Sequence, residues 1–91
     1  MRMKIIDFKT VSPLFEMERD GIKPFTTRVY DGKDTRFRQL SHWSACSEDW
    51  AIRITNPQTD EQFIRRVIFL KYLRVSPKAD WVLIRLGERI E

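Results

Sequence analysis

The stretch Gln62-Phe63-Ile64-Arg65-Arg66-Val67-Ile68-Phe69-Leu70-Lys71-Tyr72-Leu73-Arg74-Val75 is the longest apolar segment of the chain, and its conformation decides the fold. Its length fits a helix as well as a strand. Val67, Ile68, Phe69 and Tyr72 weigh toward a strand, because branched and aromatic side chains suit a pleated, half-buried surface. The preceding Asn56-Pro57-Gln58-Thr59-Asp60 reads as a reverse connection, since proline cannot continue a ladder and Asn and Asp favour turns. A long, bent strand is therefore expected over residues 62–75. Arg65, Arg66 and Lys71 interrupt its apolar stripe, which leaves two readings: a core strand with charged outward positions, or an oligomer interface.

Working outward, Trp50–Thr55 alternates as a strand, with Ile52 and Ile54 on one face and Ala51, Arg53 and Thr55 on the other. Ser76-Pro77-Lys78-Ala79-Asp80 turns the chain, and Trp81–Leu86 makes a last strand that Gly87 ends. Upstream, Met3–Phe8 is a short strand in which Ile6 and Phe8 alternate against Asp7. Ser12 is placed to cap a helix over Pro13–Asp20, with Pro13 at the first helical position and Gly21 as its left-handed stop. On that helix Leu14, Phe15 and Met17 would dock, leaving Glu16, Glu18 and Arg19 in water. Asp31-Gly32-Lys33-Asp34 is a turn, Thr35–Trp43 a loosely alternating loop leading into a short strand, and Ser44–Asp49 a loop. One short helix and five to six strands in 91 residues predict an α+β fold, a small mixed β-barrel forming a single domain over residues 1–91.

Composition narrows the function. Hydrophobic content of 42% with 12% aromatic residues describes a folded chain, and Trp43, Trp50 and Trp81 offer much of its burial. Eleven of the 17 basic residues are arginine and the net charge is +4, which suits anionic partners, although the same charge also serves solubility. One cysteine, Cys46, excludes an intrachain disulfide. Cys46 and the single histidine, His42, are too few for a Cys/His zinc site, and nothing beside them resembles a nucleophile motif. No metal or cofactor is implied. The opening MRMKIIDFK is too polar for a signal peptide and no apolar run is long enough to span a membrane, so a cytoplasmic protein is expected.

The candidate site lies just past the helix stop. Phe25–Tyr30 reads as a strand, so Phe25, Thr27 and Val29 point one way and Thr26, Arg28 and Tyr30 the other, with Lys23 at the mouth of that face. Lys23, Arg28, Lys33, Arg36 and Arg38 supply positive charge along the strand and the segment after it, and Tyr30, Phe37 or Trp43 could offer a base a stacking face. Arg28 could equally pair with a carboxylate such as Asp7, and Thr26 could serve only as a strand former.

Gly21-Ile22-Lys23-Pro24-Phe25-Thr26-Thr27-Arg28 resembles the G-x-K-x-x-E-x-R signature of the ASCH group of PUA-like barrels, with Thr26 at the glutamate position. The strand pair Trp50–Thr55 and Phe63–Leu73 and the closing Trp81–Leu86 are similar to later parts of that group. The resemblance implies a small mixed barrel with a cleft beside the signature, binding RNA or a nucleotide through Lys23, Thr26, Arg28, Tyr30, Lys33, Arg36 and Arg38. A second implication comes from the small bacterial acetylcytidine amidohydrolases, which also carry threonine there. By that likeness Lys23 and Thr26 would be catalytic, with a glutamate contributed by a helical insertion that this chain, passing from Val75 to Trp81 by a short turn, does not contain. Glu61, Asp80 and Glu88 are the acids otherwise at hand. A third reading, a protein-interaction or inhibitor role, needs no chemistry at the signature.

Overall fold

The structure is a computed structural model that describes residues 3–31, 33–40, 49–76 and 79–91, with residues 75, 76 and 79 described by backbone alone. His42, Trp43, Cys46 and most of the expected 44–49 loop lie outside the described residues. The elements run β1 (Lys4–Lys9), α1 (Leu14–Arg19), β2 (Phe25–Val29), α2 (Thr35–Leu40), β3 (Trp50–Thr55), β4 (Gln62–Ser76) and β5 (Ala79–Arg89).

The five strands form one mixed sheet in the order β1-β3-β4-β5-β2, curled into a half-barrel of α+β class. Among the described residues only β1 and β3 pair parallel; the other neighbours are antiparallel. The long segment is a strand, as its branched and aromatic content predicts. Its pairing with β5 shifts register between Arg65 and Val67 and between Val67 and Phe69, irregularities of the kind that accompany a bent strand. Ile6, Phe8, Trp50, Ile52, Ile54, Phe63, Val82 and Ile84 fill the concave side, and Trp81 is half-buried. Phe15 of α1 packs against Phe63 with ring centroids 5.2 Å apart, while Phe37 of α2 meets Phe8 at 6.1 Å.

Four local expectations are corrected. Residues 35–40 are helical rather than a loop into a strand. The Asp34 carboxylate accepts the Arg36 amide at 2.9 Å, as a cap does, and Phe37 and Leu40 bury at helical spacing. Ser12 does not cap α1: the cap position is Pro13 with no side-chain cap bond, and the Ser12 hydroxyl instead donates to the Glu16 carboxylate and accepts from Asn56 Nδ2. The faces of α1 also differ, with Leu14 45% exposed and Glu18 only 1% exposed. Docking Phe15 on the sheet brings its i+3 neighbour Glu18 onto the same face. Finally, β5 does not stop at Gly87 but continues to Arg89. A side chain at Gly87 would meet Ile68 Cγ2 at 2.6 Å, so the glycine makes room for the irregular stretch of β4.

Gly21 does end α1, with φ of +80° and the Arg65 guanidinium 3.5 Å from where a Cβ would stand. Gly21→Ala should cost about 1 kcal/mol and lower Tm by about 4–8 °C in a thermal melt. No change in Tm would contradict the left-handed stop.

Candidate functional site

Because β1 and β2 sit at opposite ends of the sheet order, the half-barrel has a seam between them. The amides of Lys4 and Thr10 bond to the carbonyls of Asp49 and Thr55, so the even-numbered residues of β1 face β3. The carbonyls of Asp7 and Lys9 consequently face the seam, and two arginines take them. Arg36 Nη1 donates to the Asp7 carbonyl at 2.9 Å and Arg28 Nη1 to the Lys9 carbonyl at 2.8 Å. Arg28 Nη2 also donates to the Thr10 hydroxyl at 2.6 Å. Both guanidiniums lie over Phe8, 4.8 and 4.5 Å from its ring centroid. Arg28 thus ties the two edge strands together with side-chain bonds where a closed barrel would use a backbone ladder.

Two clefts adjoin this seam, and Arg28 lines both. The smaller, about 250 Å³, is lined by Glu18, Lys23, Thr26 and Arg28 together with Thr10 and Leu14 among others. Lys23, Thr26 and Arg28 are therefore brought together, because the glycine stop delivers Lys23 to the foot of β2 and the strand's alternation turns Thr26 and Arg28 to one side. The larger cleft, about 940 Å³, is lined by Asp7, Phe8, Lys9, Arg28, Asp31, Asp34 and Arg36 among others. Its three aspartates offset its three cations.

Arg28 and Arg36 differ in what holds them. The Asp34 carboxylate takes Arg36 Nη2 at 2.6 Å, and that bond raises the Arg36 pKa and lowers that of Asp34. No carboxylate of the described residues contacts Arg28, whose Nε is buried and without a hydrogen-bond partner. Burial pulls Arg28 below the ordinary guanidinium value, the charge of Glu18 opposes that pull, and Arg36 adds to it. The Asp7 partner considered for Arg28 belongs instead to Arg53, at 3.1 Å.

The remaining candidates are spread out. Tyr30 is 41% exposed and packs on Phe37 and Tyr72, with centroids 5.6 and 5.7 Å away, but is not among the residues lining either cleft. Phe37 is a core residue that also lines the larger cleft, and Lys33 and Arg38 are exposed outside both clefts. Partial burial pushes the Tyr72 phenol above its ordinary value, although the residue as a whole is 43% exposed, and Tyr30 adds to the shift. The neutral phenol is the form this fold prefers. Its contribution to stability is therefore fully present below about pH 10 and is lost as pH rises through the folded value. Ultraviolet titration should show a tyrosine ionising late, and Tyr72→Phe should remove that step; a titration curve without a late step would contradict the contact.

One residue of the site was missed from sequence. Lys23 Nζ donates to Glu18 Oε2 at 2.6 Å, and the side chain of Glu18 is only 2% exposed. The Phe15–Glu18 spacing was the available signal. The three acids proposed in its place are engaged elsewhere: Glu61 with Arg19, Glu88 with Arg66, and Asp80 with Arg74. On β4, Arg65 donates to the Gly87 and Arg19 carbonyls and Arg66 pairs with Asp49 and Glu88, while Ile68, Phe69 and Tyr72 stand exposed. Among the described residues no helix is long and apolar enough to cross a membrane, and no group of three acidic, histidine or cysteine side chains is placed to hold a metal.

A comparison with known proteins finds no matching family model, and no match among curated proteins or solved structures.

Proposed function

We propose that this chain binds RNA or a nucleotide at the paired clefts beside Gly21-x-Lys23-x-x-Thr26-x-Arg28, as an ASCH-like domain would. The observation that carries the reading is Arg28: a largely buried guanidinium with no carboxylate contact among the described residues, lining both clefts. Two of its five N–H donors hold the seam, which leaves the others for an acceptor such as a phosphate or base oxygen. Lys23, although paired, has ammonium hydrogens beyond the one given to Glu18. Arg36, neutralised by Asp34, contributes structure more than affinity.

Titration of a labelled RNA oligonucleotide at rising salt tests this. With two or three cations near phosphates, the slope of log K against log salt should be about −1.4 to −2. A flat response, or binding that survives loss of Arg28 undiminished, would contradict the reading.

A second reading is favoured by Glu18, which gives Lys23 and Thr26 a carboxylate neighbour. In an acetylcytidine amidohydrolase, water would add across the amide C–N bond to give acetate and cytidine. In its ion pair, however, Lys23 is an ammonium with no lone pair to accept a proton from Thr26, so the arrangement as it stands suits binding better than nucleophile activation. Mass spectrometry of acetylcytidine incubated with the protein separates the two. Turnover by the wild-type protein that disappears in a Lys23→Ala variant still folded by circular dichroism would establish the enzyme.

A further inference from the structure

We infer that Glu18 is a specificity-determining residue, and that the smaller cleft takes a nucleobase edge carrying an N–H donor rather than a phosphate. The inference rests on the RNA- or nucleotide-binding reading and specifies which part of the ligand enters which cleft.

The smaller cleft carries unmet hydrogen-bonding capacity. Glu18 is 1% exposed; Oε2 is taken by Lys23, but Oε1 is buried and accepts from no donor of the described residues. Buried polar atoms are nearly always partnered, and an orphaned carboxylate oxygen is among the costlier exceptions. Arg28 lines the same cleft, and its Nε is a buried donor with no acceptor among the described residues. An unfilled acceptor and an unfilled donor on residues lining one cleft are complementary to a group that presents N–H next to a carbonyl or ring nitrogen.

A phosphate diester does not meet that demand. It offers acceptors only, and its charge would stand against the Glu18 carboxylate. A nucleobase meets it: uracil sets N3–H between two carbonyls, and cytosine sets its amino group beside N3. The cleft volume of about 250 Å³ suits one heterocycle better than a length of backbone. Phosphates would then lie outside it, toward Lys9 and the exposed flank of Arg28.

The alternative is that Glu18 only neutralises Lys23 and has no part in selection. Fluorescence anisotropy with short RNA homo-oligomers distinguishes the two. The tightest binder among the oligouridine and oligocytidine probes is compared with the same oligomer methylated at the donor, 3-methyluridine or N4,N4-dimethylcytidine. Wild-type protein should bind the methylated probe about 10- to 100-fold more weakly, the span expected for one bond to a charged acceptor. Glu18→Gln should narrow that ratio. Equal affinity for both probes would overturn the inference while leaving RNA binding in place, and so would a ratio unchanged in Glu18→Gln. No binding of any oligomer would instead overturn the underlying reading. The wild-type comparison involves no substitution, so it holds even if Glu18→Gln folds poorly.

Discussion

Lys23→Met should destabilise the protein by about 3–5 kcal/mol, because it strands a buried carboxylate. Lys23 is the only described residue that donates to Glu18, at 2.6 Å, and the Glu18 side chain is nearly closed to water. With its partner gone the carboxylate must either stay charged in a poor solvent, take up a proton, or drag α1 off the sheet. The third course would also disturb the Phe15–Phe63 contact that anchors the helix. Replacing both partners, as Lys23→Met with Glu18→Leu, removes the charge along with its counterion and should recover most of the loss. Urea unfolding of the wild type, the single and the double variant measures the coupling. A single variant within about 1 kcal/mol of wild type would mean that Glu18 reaches water more freely than its burial implies.

Arg28→Ala should cost about 2–3 kcal/mol of stability and, separately, lower RNA affinity about tenfold or more. The stability loss follows from the seam. The Lys9 carbonyl and the Thr10 hydroxyl lose their charged donor, and Phe8 loses a guanidinium from its face. Arg28→Lys separates the two effects. It keeps one positive charge near the clefts but cannot fork to two acceptors, so the salt dependence of binding should persist while the seam stays weakened. If Arg28→Ala melts at the wild-type temperature, the edge strands are held by something other than this side chain.

The strands were largely legible because their signals are local. Residues 62–76 declare themselves through branched and aromatic content, and Trp50–Thr55 through strict alternation. The convergence of Lys23, Thr26 and Arg28 was legible for the same reason: a glycine stop followed by a period-two strand leaves little freedom in where those side chains point. What escaped depends on tertiary partners. In α2 Arg36 and Arg38 on either side of Phe37 imitate alternation, and the decisive Asp34 cap is a single hydrogen bond. Glu18 reads as a surface charge until the orientation of Phe15 is known. Gly87 reads as a terminator, whereas its role is set by the approach of Ile68 from the neighbouring strand. The balance of the larger cleft was hidden too, since Asp7, Asp31 and Asp34 join its cations only when β1 closes on β2.

The most direct test of ligand binding at the Arg28 clefts is a titration of the isotopically labelled protein with a nucleoside monophosphate, followed by backbone and arginine side-chain NMR. Saturable shifts are expected at Glu18, Lys23, Thr26 and Arg28 Nε, with Lys9 responding to the phosphate and the exposed face of β4 at Ile68 and Phe69 unmoved. Shifts that gather on β4 instead, or none at millimolar ligand, would contradict binding at the clefts.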